Sequence, residues 1–340
     1  MNDRKTILIK FSGMSGRFDP EHNFLIDILK EKYDVRLSDN PEYLFYSVNS
    51  KDYLDYKCIR IFFTPENLVP DFNICDYAIG FSPMYFGDRY IRYPLYLVDT
   101  FAPYDGDDYG SDLERALHKH ESVEEMLFVK EGFCAFVYSN AEAAICRERL
   151  FNALSEYKRV DSGGRYLNNI GGPVDSKYDF QRKYKFVIAF ENSSTPGYTS
   201  EKIVHAFAAG AIPIYWGNPN IGEEFNEASF INCHRFGLTE KGEEDSIQRI
   251  VESVVKIDHD ERAFLDFLRT PAFSDSNNVD GQKKSLRSFL FNIFDQPYED
   301  AFRRNRYYWG ERYERKQRIG NKFYWLCRKA IPIRDFFLRK

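Results

Sequence analysis

Nowhere in this sequence do about 18 apolar residues follow one another, the shortest run that crosses a bilayer as a helix, which argues against a membrane-spanning chain. The first ten residues, MNDRKTILIK, lack the apolar region and small-residue cleavage site of a secretory signal, which predicts a chain kept in the cytoplasm. Cysteine is sparse: Cys58, Cys75, Cys134, Cys146, Cys233 and Cys327 form no C-x-x-C pair and have no histidine at metal-ligand spacing. That pattern points away from a zinc site or a disulfide framework and towards reduced thiols. Aromatic rings are plentiful, with 31 Phe and 24 Tyr among 340 residues. A hydrophobic share of 43% is too apolar for a disordered chain. Most of the rings belong in a core, although Tyr and Phe also suit the faces of sugars.

The net charge of −5 conceals an uneven division. Residues 301–340 carry thirteen Lys and Arg against Glu311, Glu314 and Asp335, which leaves the remainder at about −15. An acidic body with a basic, aromatic tail reads as a binding device.

Length suggests two domains, and the local patterns agree. Residues 6–11 (TILIKF) read as a buried strand, followed by the turn-prone SGMSG and a helix with Phe24, Leu25, Ile28 and Leu29 on one face. Further strands are predicted at 43–48, 58–63, 77–81, 93–98 and 132–138, and helices near 111–120, 123–128 and 141–154. Between 155 and 178 the pattern breaks into Gly, Asn, Asp and Pro, which predicts a boundary there. The expected domains are therefore 1–155, 156–300 and a tail, 301–340. In the second half, a strand at 184–190, a helix at 200–209 and a strand at 211–216 make a βαβ crossover and imply a parallel sheet. Helical spacing returns near 247–257, 263–268 and 285–294. Two α/β domains facing each other across a cleft are the natural architecture.

The densest chemical signal is FENSSTPGYTSEK, residues 190–202, lying between a buried strand and a helix. Ligands of open parallel sheets bind beyond the carboxyl ends of the strands, where this loop falls. Thr199 or Ser200 can cap the helix, whose free N–H groups suit an anion such as a diphosphate. Lys202 adds a full charge against the helix dipole, a conflict that a bound anion would relieve. Glu201 can accept two hydrogen bonds from a vicinal diol such as a ribose. Taken alone, the same residues also describe an ordinary capped helix with a surface Glu–Lys pair.

Together with AGAIPIYWGNPNI at 209–221, this segment resembles the donor-site motif of glycosyltransferase family 10, the α1,3/4-fucosyltransferases of bacterial type. The resemblance implies that Asn192, Tyr198, Glu201 and Lys202 contact GDP-fucose, with Lys202 on the diphosphate and Glu201 on the ribose. Arg147, within SNAEAAICRERLFNAL, aligns with an arginine that the family places on the phosphates, and Arg149 lies close enough to be the match instead. A guanidinium suits that task because it stays charged and offers paired donors. FFTPENLVPDFNICDYAIGF (62–81) and FGDRYIRYPLYL (86–97) look like the family's acceptor-side block, in which the residue at Glu66 is the proposed general base. Inverting displacement of GDP requires a group that takes a proton from the attacking hydroxyl. Pro65 stands where relatives often have Gly, a departure that bears on the shape of this turn.

The resemblance spans roughly residues 5–300 and implies a GT-B fold: two Rossmann-like domains, acceptor-binding then GDP-fucose-binding. It further implies an inverting transferase that moves L-fucose to the 3-OH or 4-OH of GlcNAc in an N-acetyllactosamine-type or lactose acceptor, making Lewis-type surface glycans without an essential metal. Asp105, Asp107 and Asp108 hold an acidic pair of the kind that binds manganese elsewhere but read as a solvated loop. His118 and His120 read as surface residues, and His205 as a packed or capping one. Glu191 is either catalytic or orienting, and Asp88 and Arg89 either line the acceptor site or form a structural ion pair. The tail, 301–340, suits the surface of an anionic membrane rather than nucleic acid, which places the chain on the inner face of a membrane. Packing of part of the tail onto the body is the competing reading. Two functional rivals stay open: transfer from another nucleotide sugar, and a non-catalytic carbohydrate- or membrane-binding relative.

Overall fold

Short buried runs of β-branched and aromatic residues fold into two separate parallel sheets in the computed structural model, which describes residues 4–15, 18–98, 109–121, 123–304 and 307–338. The first sheet holds β1 (Thr6–Ser12), β2 (Asp34–Leu37), β3 (Tyr43–Tyr46), β4 (Ile59–Phe63), β5 (Tyr77–Gly80) and β6 (Tyr90–Arg92), in the order β2-β1-β3-β4-β5-β6. The second holds β7 (Gly132–Phe136), β8 (Val160–Ser162), β9 (Tyr184–Phe190), β10 (Ile212–Trp216) and β11 (Ile231–Asn232), in the order β11-β10-β9-β7-β8. All described pairings within both sheets are parallel. Strands such as β4 and β10 are buried at every position, as expected where helices cover both faces. Pro213 sits inside β10, yet the short β11 pairs only with Ile214 and Tyr215, so on that side the ladder asks no N–H of residue 213.

The described helices are α1 (Phe24–Lys30), α2 (Tyr109–Leu117), α3 (Val123–Phe128), α4 (Cys146–Tyr157), α5 (Lys177–Gln181), α6 (Lys202–Ala208), α7 (Glu244–His259), α8 (Glu261–Arg269), α9 (Val279–Asp295), α10 (Tyr298–Ala301) and α11 (Tyr308–Leu338). The strand expected at 93–98 is absent. β6 ends at Arg92, and Pro94, which has no N–H to donate, introduces a single 3₁₀ turn at Leu95–Leu97.

The expected boundary at 155 is displaced. β7 precedes it and α4 runs across it, yet β7 pairs with β8 and β9 and α4 packs on β8 and α7, so both belong with the second sheet. The Gly- and Asn-rich segment that suggested a boundary is a built loop: Asn168 Nδ2 reaches the carbonyls of Gly164 and Gly172 at 2.7 and 2.8 Å. Gly164 presses so closely on Tyr138 that a Cβ would lie 2.0 Å from its carbonyl oxygen. The chain then crosses back, because α9 packs under the first sheet, with the Phe294 ring tilted against Tyr43 at 4.4 Å between centroids and Tyr33 donating to Asp295. Residues 279–295, assigned from sequence to the second domain, thus complete the first.

The tail is helical as expected, and its first turns dock on the first domain. Glu314 accepts from Arg60 at 3.0 Å and Arg304 at 3.3 Å, Arg304 pairs with buried Asp76, Tyr313 donates to Asp71, and Arg318 pairs with Asp55.

Candidate active site

In the second sheet the winding reverses between β7 and β9, and the loops leaving these two strands diverge. Such a switch point is where open parallel sheets bind ligands, and it is where residues 190–202 and Arg147 come together. Arg147, 1% exposed at the start of α4, lies over the Tyr138 ring at 4.3 Å and donates to Asn192 Oδ1 at 3.2 Å. Arg149 turns away and donates to the carbonyl of Gly242. Of the two arginines, Arg147 is the one that meets the loop.

Glu191 organises the rest of the loop. Its carboxylate, 0% exposed, accepts from the Ser200 amide at 2.7 Å, from the Ser200 hydroxyl and from Lys202 Nζ at 2.9 Å. Its role here is to orient the loop. The capping expected of Thr199 or Ser200 does not occur: Glu201 precedes α6 without a side-chain cap, Ser200 is turned towards Glu191, and Thr199 accepts from Asn218. A buried carboxylate competes successfully for that hydroxyl.

Burial opposes the charge on Lys202, but Glu191 and Glu201 outweigh it and hold the ammonium well above the usual lysine range. Burial likewise opposes the charge on Glu201, yet Lys202, Lys177 and His205 pull its carboxyl down to about 2. His205 is 3% exposed, with Nδ1 2.7 Å from Lys177 Nζ and Nε2 3.7 Å from Asp112. Burial and Lys177 keep it well below the ordinary histidine range, as a packed residue. The loop therefore presents charged groups that are already fixed and paired.

Glu66 projects from the carboxyl end of β4 on an exposed turn, with its amide donating to Thr64 Oγ1 at 3.1 Å. The turn faces the loop from the other domain: Asn67 Nδ2 donates to Ser193 Oγ and Thr195 Oγ1, both at 2.7 Å. Tyr198 is buried edge-on against Phe81 at 5.0 Å. Its hydroxyl is pushed up by burial, then by Glu191, and also by the charges of Glu66 and Glu201. Arg92 adds a second clamp, donating to the carbonyl of Gly197 at 3.1 Å and pairing with Glu224. Gly197 holds a φ of +80° and approaches Phe81 so closely that a Cβ would lie 2.5 Å from its carbonyl oxygen.

Of the six sequence-predicted site residues, Glu66 and Tyr198 stand at the junction between the domains, while Arg147, Asn192, Glu201 and Lys202 lie in the second domain, on or beside the loop after β9. Sequence reasoning missed Asn67, Arg92 and Glu224. Asn67 carried one usable signal, its place directly after Glu66. Asp88 and Arg89 are structural but not paired with each other, since Asp88 pairs with Arg303 and Arg89 donates to the carbonyls of Phe72, Cys75 and Asp76. His118 is exposed between Glu114 and Glu121. Asp105, Asp107 and Asp108 lie outside the described residues.

Two family models match the chain: the Alpha-(1,3)-fucosyltransferase FucT N-terminal domain over residues 9–99 and the Glycosyltransferase family 10 (fucosyltransferase) C-term over residues 127–286. The chain is 33% identical over 300 residues to the Alpha-(1,3)-fucosyltransferase FucT of Helicobacter pylori, an alignment covering 80% of this chain and 60% of that relative. It thus spans less than two thirds of that relative's length. An α1,3-fucosyltransferase crystal structure superposes with a TM-score of 0.73 at 25% identity, covering 90% of this chain and 94% of the other. Another, with GDP-fucose, superposes with a TM-score of 0.66 at 27% identity, covering 88% and 94%.

Proposed function

The chain belongs to glycosyltransferase family 10 and has its GT-B fold, and from that premise we propose that it is an inverting fucosyltransferase moving L-fucose from GDP-fucose to the 3-OH, or the 4-OH, of GlcNAc in a Gal-GlcNAc or lactose acceptor. The observation that carries this reading is the meeting of the Glu66 turn with residues 191–201 across the domain junction. The acceptor hydroxyl attacks the anomeric carbon while the bond to GDP breaks, its electron pair passing to the β-phosphate oxygen. Glu66 takes the hydroxyl proton. Lys202 and Arg147 stabilise the charge that builds on the diphosphate, Glu201 holds the ribose, and Asn192 and Tyr198 shape the donor pocket. With two fixed cations for the leaving group, the reaction proceeds without a divalent metal.

The direct test is GDP release from GDP-fucose with Galβ1-4GlcNAc, Galβ1-3GlcNAc and lactose, in EDTA and in its absence, with the product linkage read by NMR. No release with any of them overturns the reading. The exposed rings and basic residues of α11, among them Trp309, Arg312 and Phe323, support a peripheral hold on an anionic membrane on its cytoplasmic side. Co-sedimentation with anionic but not with neutral vesicles is the expected result.

A further inference from the structure

The turn that carries Glu66 has little to hold it. Leu68 and Val69, which follow, are 50% and 55% exposed, and Glu66 itself is exposed. Within the turn there are two local hydrogen bonds, from the Glu66 amide to Thr64 and from the Leu68 amide to the Glu66 carbonyl at 2.7 Å. These fix the turn's shape but not its distance from the other domain. That distance is set at its apex, where one amide group spends both N–H bonds on two hydroxyls more than 120 residues away in sequence.

We infer that Asn67 is a positioning residue for transfer: by bridging Ser193 and Thr195 it fixes where the Glu66 carboxylate stands relative to the bound donor. This rests on the fucosyl-transfer reading and deepens it. Ser193 and Thr195 belong to the loop that also carries Asn192, Tyr198, Glu201 and Lys202, so the bridge registers the base against the donor-binding groups directly. Asparagine suits the task because its NH₂ offers two donors from one rigid plane, and a hydroxyl oxygen can accept each of them. Burial does not hold Glu66, so loss of the bridge leaves the carboxylate intact but free to wander. A misplacement of about 1 Å can cost about a hundredfold in rate.

The test measures kcat, KM for GDP-fucose, thermal midpoint and acceptor-independent hydrolysis of GDP-fucose in four proteins: wild type, Asn67→Ala, Ser193→Ala/Thr195→Val, and the triple variant. Asn67→Ala should lower kcat for transfer about 10- to 100-fold, with KM for GDP-fucose within about threefold and hydrolysis reduced much less, because water is not positioned by the turn. The pair on the opposite loop should reproduce the loss, and the triple variant should be no worse than either parent, the signature of one shared interaction. The inference is overturned if Asn67→Ala keeps its kcat while the wild type turns over, if the losses add, or if transfer and hydrolysis fall together. A wild type that releases no GDP overturns the transfer reading and this role with it.

Discussion

The two halves of the junction are built on opposite plans. On the donor side the charged groups are packed away and paired: Glu191 is fully buried, Arg147 nearly so, and Lys202 is held by two carboxylates. On the acceptor side the proposed base is exposed, and an interdomain bridge rather than a core ties down its turn. A site for a highly charged leaving group gains from dipoles and charges that need no rearrangement. A base that must pass its proton on and admit a bulky sugar gains from access to solvent. Rigidity on one side and openness on the other suit these two tasks.

The largest effect should come from the buried side. Lys202→Met is expected to cut kcat/KM about a thousandfold. It should also destabilise the protein by about 3–5 kcal/mol, because Glu191 is left as an unpaired buried charge. Adding Glu191→Gln should recover stability in urea unfolding but not activity. A Lys202 variant of native stability would erase the contrast. Glu66→Gln comes next, with transfer down about a hundredfold or more and the thermal midpoint within about 1 °C of wild type, as for an exposed residue. A marked loss of stability there would show the acceptor side to be as tightly built as the donor side. Arg147→Lys keeps the charge but loses the paired donors that reach Asn192 and the carbonyl of Asn140, so KM for GDP-fucose should rise about tenfold, read by initial rates.

The smallest effect is on pH. His205 faces Lys177, Asp112, Glu201 and Lys202, and its folded-state value lies well below the ordinary 6.5. Between those values the unfolded chain binds the proton and the folded chain refuses it, so stability should fall as pH drops through 6.5. His205→Gln should flatten that slope between pH 7 and 5.5 by about 2 °C in thermal midpoint. An unchanged slope would place the acid sensitivity elsewhere.

The sequence showed the donor side more clearly than the acceptor side, for a physical reason. The βαβ unit, the loop after β9 and the cations around it are local features, written into periodicity and into thirteen consecutive residues. The bridge from Asn67 joins residues separated by 126 and 128 positions, which no local pattern records. The same limit displaced the domain boundary. Composition marks where the backbone turns sharply, as it does around Gly164, but not which sheet a strand such as β7 joins. Thr199 or Ser200 reads as a helix cap because capping is a local rule, but a buried carboxylate nine residues away takes the Ser200 hydroxyl and Asn218 takes Thr199.

Glu314 gives the C-terminal helix a second meaning. One carboxylate from that helix serves as counter-ion to two guanidinium groups in the first domain's interior, Arg60 at 1% and Arg304 at 5% exposure. A chain shortened between residues 304 and 314 would leave the buried Arg60 without its carboxylate partner and Arg304 with Asp76 alone, so solubility lost on trimming would signal a damaged interior and say nothing about lipid. Past Arg318 the helix runs on for about 30 Å, rooted in the first domain by the contacts of its opening turns.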